Sequence, residues 1–472
     1  MDTLTRLTQM AQRAKQSRQY EVALQLYTQA QQQFPQSYVA EHNLASMYGD
    51  MKRFDAAQSH ARMALKKGSK APQTWLVLAR SLMGLQHYQA AADAYLNAIH
   101  LQPDNFDAQR EWAQLTWMLT ADIGSTMQHI DTALKRQLLP PLLLLRAQVY
   151  EYAGDLSAAQ IILQRAVEQW PSAGPLLEAA IFNSIQLHDA SRARVFTQSL
   201  LAHYPDTLQS LITASYAYAA TGEAEQALQA ANRASAIDPL SQQAIACQAT
   251  ALRLLYLQHG QQQHLDAYRA LYDYDTLVTR TELDVPSGWS SLAAYIDDLA
   301  GALKSLHPFK THPFGQSVRS GSQLPDILSY NQPVINAFEQ AIAGPIARHL
   351  AQVGQGEHPL RRRNTGQWAI DGIWSVWLQS GGFHENHVHP HGWISSACYI
   401  QLPDGVDDAD TKSGWLKLGE PMMPTEPELE VEHWVKPEVG HLVLFPSYMW
   451  HGTAPFSASQ PRLSVALDIV PA

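Results

Sequence analysis

Residues 381–403 read GGFHENHVHPHGWISSACYIQLP, and residues 440–464 read GHLVLFPSYMWHGTAPFSASQPRLS. The first segment offers two imidazoles at i and i+2, His387 and His389. The second offers His451 and, eleven residues later, Arg462. Alternate residues of an extended strand point to one face. His387 and His389 can therefore converge on one ion while a returning strand brings His451 to it. His384, His387, His389 and His391 also crowd into eight positions, far denser than 20 histidines spread over 472 residues.

Around these segments the apolar runs are short. AIDGIWSVWLQ, WISSACYIQL, SGWLKLG, HLVLFPS and RLSVALDIV are separated by turn residues, the pattern of an all-β sandwich or barrel. Trp374, Trp377, Trp393 and Trp450 are expected in its core more than in a substrate wall. Upstream, residues 276–300 read as a linker passing into a helix near Ser290–Ser305. The following loop HPFKTHPFGQSVRSG holds His307, His312 and Arg319; it reads equally as a lid or a polar connection. A second helix is expected over Gln332–Val353, with Pro333 in its first turn and Gly344 and Pro345 able to kink or split it.

The first 275 residues have a different grammar. Pro35, Pro103, Pro171, Pro205 and Pro239 lie at multiples of 34 from one another. Twelve and five residues before them stand Ala23 and Ala30, Ala91 and Ala98, Ala159 and Ala166, and Ala227 and Ala234. Ala57 and Ala64 keep the same phase where the proline is missing. Ala11, Ala45, Ala79 and Ala147 mark a second phase. Small residues at fixed spacing let antiparallel helices approach closely, and a proline ends the second helix of each pair. This pattern resembles the tetratricopeptide repeat (TPR) family. About seven units fit between residues 4 and 241, with an atypical pair over 242–274 as a cap. The unit over 106–139 is degenerate, with Ser125 and Thr132 at the alanine positions. The sixth unit has Leu200 at one of them. A solenoid of this kind implies a concave face that binds a protein or peptide partner.

From about residue 300 onward, HVHPHGWISSACYIQLP, GHLVLFPSYMWHGTAPF and RLSVAL resemble the iron(II)- and 2-oxoglutarate-dependent oxygenases of the prolyl-hydroxylase-like kind. Their fold is a double-stranded β-helix, a jelly-roll relative. The expected organisation is a TPR α-solenoid over 1–275, a linker and connecting helix over 276–300, and a jelly roll with flanking helices over 301–472. The resemblance implies that His387, His389 and His451 hold Fe(II) and that Arg462 pairs with a carboxylate of 2-oxoglutarate. It implies that Ser464 donates to the same carboxylate and that Tyr399 shares the pocket. Most relatives carry His-x-Asp; here His389 stands where the aspartate is usual, as His-x-His does in the branch that this chain resembles. An all-histidine face is one unit more positive, and His384, Glu385 and His391 remain alternative ligands. The implied activity is a dioxygenase using Fe(II), 2-oxoglutarate and O2 to hydroxylate a protein, peptide or carrier-bound substrate recruited by the repeats. A repeat scaffold with a degenerate barrel, or a three-histidine cupin-like metalloenzyme without 2-oxoglutarate, are the alternatives.

Bulk properties agree with this. The net charge of −10 argues against a nucleic-acid binder, which needs concentrated Lys and Arg. The one basic run, Arg361–Arg363, reads as a solvated loop. Two distant cysteines, Cys247 and Cys398, exclude a disulfide framework and fit a reducing compartment. No signal-like N-terminal segment or membrane-length apolar run is present, so a cytoplasmic protein is expected. Nothing in the sequence specifies oligomeric state.

Overall fold

The computed structural model describes residues 3–472. They fall into two compact units, one ending at Val149 and the other beginning at Tyr150. The first unit consists of helix pairs: α1 (Thr3–Gln16) with α2 (Tyr20–Gln33), α3 (Tyr38–Asp50) with α4 (Phe54–Lys66), α5 (Pro72–Gly84) with α6 (Tyr88–Leu101), and α7 (Phe106–Thr120) with α8 (Ile123–Arg136). The helix α9 (Pro140–Tyr152) runs across the division. Ala11, Ala23, Ala30, Ala45, Ala57, Ala64, Ala79, Ala91 and Ala98 are all fully buried, as close helix packing on a small-residue stripe requires. The degenerate unit solves its packing by a one-residue shift. Ser125 and Thr132 face outward, and Thr126 and Ala133 are buried in their place.

The second unit continues with α10 (Leu156–Gln169), α11 (Gly174–Gln186), α12 (Ala190–His203), α13 (Leu208–Ala220), α14 (Ala224–Ile237), α15 (Gln242–His259), α16 (Gln262–Leu271) and the single turn α17 (Tyr274–Leu277). Ala159, Ala193, Leu200, Ala227 and Ala234 are fully buried here. Each repeat proline sits two residues beyond a helix end: Pro171 after Gln169, Pro205 after His203, Pro239 after Ile237. Side chains at Asp155, Asp189, Thr207 and Ser241 cap the following helices by accepting a free backbone N–H. The N-terminal part of the chain is thus a TPR-like α-solenoid.

The remainder is a pair of antiparallel sheets with flanking helices. The strands are β1 (Thr279–Glu282), β2 (Val318–Pro325), β3 (Trp368–His384), β4 (Ile394–Gln401), β5 (Leu416–Leu418), β6 (His433–Val435), β7 (His441–Pro446), β8 (His451–Thr453) and β9 (Arg462–Pro471). The larger sheet has the order β1-β7-β4-β9-β3-β2 and the smaller β6-β5-β8. α18 (Leu292–Leu306) packs on β4, and α20 (Phe338–Val353), preceded by the turn α19 (Pro333–Asn336), packs on β7. In β9 the two faces separate cleanly. Leu463, Val465, Leu467 and Ile469 are fully buried on one face, and Arg462, Ser464, Ala466 and Asp468 line a cavity on the other. Each of the buried aliphatics contributes about 2 kcal/mol.

Several local expectations are corrected. The stretch read as a linker supplies β1, which pairs with β7 through Thr279–Leu444 and Glu282–His441. The tail of the His- and Pro-rich loop forms β2 against β3. Both are short, polar edge strands with no apolar run to reveal them. The helix over 332–353 breaks at Ala337, while Pro345 is accommodated inside α20. The basic run is not merely solvated: Arg362 donates to the Pro239 carbonyl at 2.6 Å and Arg361 to Thr276 Oγ1 at 3.1 Å. Both cysteines are free and buried. No helix among the described residues is long and apolar enough to cross a membrane.

Candidate metal centre

His387, His389 and His451 each place a ring nitrogen within 4.8 Å of the others. The means is more local than strand periodicity. β3 ends at His384, and the ensuing segment makes a single antiparallel bridge to β8. In that bridge His387 N–H donates to the His451 carbonyl at 2.8 Å and His451 N–H donates back at 3.1 Å. Residues that exchange both bonds are held directly opposite one another, and the two rings lie 4.1 Å apart. His389 is fixed separately, its N–H donating to the Ser447 carbonyl at 3.0 Å. His451 therefore opens β8 rather than closing the preceding strand, which stops at Pro446.

The Nδ1 atoms decide the tautomers. His387 Nδ1 meets the Glu385 carbonyl at 2.8 Å, His451 Nδ1 meets the Met449 carbonyl at 2.9 Å, and His389 Nδ1 meets Asp468 Oδ2 at 2.6 Å. Carbonyls and carboxylates only accept, so each Nδ1 is the donor in these contacts, and each Nε2 is the ring nitrogen left for a metal. His387 Nε2 and His389 Nε2 face each other at 3.0 Å. Two lone pairs at that distance repel unless a cation or proton lies between them. Metal–nitrogen bonds of about 2.1 Å meeting near a right angle give about this separation. Burial, then the neighbouring His389, pull His387 down to about 3, and burial takes His451 well below the usual imidazole range. The pair is thus held neutral, the form that ligates a metal.

Of the alternative ligands, none joins this group. His384 lines the same cavity but its Nδ1 is engaged by Ser317 Oγ at 3.0 Å. Glu385 is ion-paired with Arg319, and His391 is exposed on the rim.

Arg462 lies in the wall of the same cavity, 2% exposed. Its Nη1 donates to the Gly414 carbonyl at 2.9 Å, its Nε has no acceptor, and among the described residues no carboxylate pairs with it. The guanidinium lies 4.9 Å from the centre of the Tyr399 ring. Burial lowers its pKa, and the nearby Tyr399 partly offsets this. Ser464 lines the cavity beside it. Tyr399 does not; it is wholly buried beneath the guanidinium. Trp374 is part of the wall and stacks on His389 at 5.4 Å, whereas Trp393 and Trp450 are core.

The cavity measures about 600 Å³. Among the polar residues that the sequence did not single out, two touch the ligand histidines. Ser317, from the His- and Pro-rich loop, approaches His387 Nε2 at 3.3 Å. Asp468 is the other, and strand periodicity counted onward from Arg462 and Ser464 would have found it. The same loop is structural at its start: His307 bonds Ser322 and Ser375 at 2.7 and 3.0 Å, away from the cavity. Further along, Phe314 stacks on Tyr152 at 5.0 Å, and Tyr152, the last residue of α9, lines the cavity too.

Residues 372–468 match the family described as "Putative 2OG-Fe(II) oxygenase". Among curated proteins, RNA polymerase II-associated protein 3 of Rattus norvegicus is 27% identical over 116 residues, 25% of this chain and 18% of that protein. The Homo sapiens protein is 25% identical over 116 residues, covering 25% of this chain and 17% of its own length. The chain thus spans less than a fifth of these relatives. Among solved structures, the C-terminal part of a TPR repeat-containing protein from Cytophaga hutchinsonii is similar with 16% identity and a TM-score of 0.38, covering 51% of this chain and 98% of that one. The first TPR of Spaghetti bound to an HSP90 peptide is similar with 23% identity and a TM-score of 0.24, covering 24% and 90%.

Proposed function

We propose that this chain is an Fe(II)- and 2-oxoglutarate-dependent oxygenase that hydroxylates a protein, peptide or carrier-bound group recruited by its helical repeats. The observation that carries the reading is Arg462, a buried guanidinium without a carboxylate partner in the cavity that also holds three imidazole nitrogens within 4.8 Å of one another. An uncompensated buried charge costs several kcal/mol, so the cavity is built for an anion. 2-Oxoglutarate has a carboxylate for the guanidinium at one end and a keto acid for a metal at the other. One cavity carries receptors for both.

In this reading His387, His389 and His451 hold the ion and leave coordination positions open. Fe(II), when bound, supplies oxygen activation coupled to decarboxylation of 2-oxoglutarate to succinate and CO2. Arg462 orients the cosubstrate through its planar fork, with Ser464 donating beside it, and Tyr399 supports the guanidinium from below. Trp374 and Phe445 line the wall with apolar surface that excludes water. Residues 301–472 form the catalytic part, with β1 from the joining segment 276–300 completing its sheet; residues 1–275 form the recruiting part. Support for a large substrate comes from Tyr152, a solenoid residue in the cavity wall.

The test is anaerobic titration of the full chain with Fe(II) and 2-oxoglutarate. A visible metal-to-ligand band is expected in wild type, with Arg462→Ala requiring at least tenfold more 2-oxoglutarate. No band in wild type, or an Arg462→Ala titration that overlays it, would sink the reading.

A further inference from the structure

His389 stands where a carboxylate is usual, yet a carboxylate is present one bond further out. Asp468 is 8% exposed, and among the described residues its one ionic partner is His389, at 2.6 Å. Its other oxygen accepts from Ser395 Oγ at 2.7 Å, and Ser395 Oγ meets Ser447 Oγ at 2.9 Å. Ser447 is the residue whose carbonyl holds the His389 backbone N–H. One network therefore fixes both the main chain and the ring of His389. Its register is set by the sheet, where Asp468 lies opposite Gly372 on β3 and Ser395 on β4. Gly392 belongs to the same arrangement, since a Cβ there would fall 2.3 Å from Ser447 Oγ.

We propose that Asp468 is a positioning residue that supplies, through His389, the negative charge missing from the all-histidine ligand face. Both oxygens of Asp468 are engaged, Oδ2 by His389 Nδ1 and Oδ1 by the Ser395 hydroxyl. With a metal on its Nε2, His389 would connect the ion to the Asp468 carboxylate through the Nδ1 contact of 2.6 Å. The ion with its three histidines and Asp468 then carries the same total charge as an ion with two histidines and one carboxylate. A carboxylate behind a ligating histidine typically changes metal affinity about 10- to 100-fold. The proposal rests on the metal reading above.

The experiment is Co(II) binding to the full chain, measured by competition with a chromophoric chelator, for wild type, Asp468→Asn, His389→Asp and the double variant. Asparagine keeps the size and a hydrogen bond but removes the charge. Asp468→Asn is expected to weaken Co(II) about 10- to 100-fold in wild type. In the His389→Asp background, where the charge sits directly on the metal, it is expected to cause no loss. Equal loss in both backgrounds means Asp468 merely stabilises the fold, and no loss in wild type means it contributes nothing; either result overturns the proposal. If wild type binds no Co(II), the metal reading falls and this one with it. Should Asp468→Asn not fold, the Zn(II)-loaded wild type decides by histidine NMR. The His389 Nδ1 proton is expected further downfield than those of His387 and His451, which face carbonyls; a signal no different from theirs overturns the proposal.

Discussion

Trp450 donates its indole N–H to Thr250 Oγ1 at 2.9 Å, so the residue before His451 is tied to helix α15 of the solenoid. The tie is not isolated. The Tyr272 hydroxyl accepts the Trp450 backbone N–H at 3.0 Å and donates to the Tyr448 carbonyl at 3.0 Å, while Tyr448 donates its own hydroxyl to the Leu271 carbonyl at 2.8 Å. The turn that delivers the third imidazole is clamped by side chains some 180 residues earlier in the chain, as from Tyr272 to Trp450. Within this unit the solenoid is part of the scaffold of the histidine cluster.

Tyr272→Phe tests that coupling. It keeps the ring but strands the Trp450 N–H and the Tyr448 carbonyl, both in buried residues. Leaving such groups unpaired costs about 1–3 kcal/mol. A lower melting temperature and weaker Co(II) binding are expected together, although Tyr272 is no ligand. If melting falls while metal affinity holds, the clamp stabilises the fold without positioning His451.

Gly452 permits the approach of β8 to the segment carrying His387. A Cβ there would lie 2.4 Å from Asn386 Oδ1 and 2.8 Å from the His384 carbonyl. The asparagine side chain can swing aside; the carbonyl cannot without moving the backbone beside His387. Gly452→Ala is therefore expected to lose stoichiometric metal, measured by elemental analysis, while the helical circular dichroism signal persists. Full metal content in this variant would show that the bridge tolerates displacement.

Acid lability should trace in part to His349. It is 1% exposed on α20, its Nδ1 bonds Thr279 Oγ1 at 2.8 Å, and burial lowers its pKa to about 4. The unfolded chain, with a histidine pKa near 6.5, binds the proton more readily than the folded one. Its contribution is complete above about pH 6.5 and is lost as pH falls toward 4, amounting to about 3 kcal/mol. His349→Leu is expected to flatten the pH dependence of urea unfolding in that window. An unchanged slope would assign the lability to other groups, among them His307 and His312, which burial also lowers to about 4.

The repeats were legible because helix packing is local. Alanines at fixed phases of a 34-residue unit and a proline past most second helices need no knowledge of distant residues. Even the unit with Ser125 and Thr132 carried its solution in plain sight, with Ala133 one position on. The edge strands were not legible. Thr279–Glu282 and Val318–Pro325 have no apolar run, and their extended state comes from pairing with β7 and β3, far away in sequence.

The same division runs through the candidate metal centre. The sequence alone determined which groups were available: three histidines in an ordered spacing, then an arginine and a serine of matching strand parity. Those are properties of residue type and of period two along a strand. Only the tertiary structure decided which histidines converge, because His384, His387, His389 and His391 are chemically equal until a bridge to His451 and a bond to Ser447 select two of them. It also decided what stands behind them. His389 leans on Asp468, 79 residues away, and proximity across that distance is made by the sheet register.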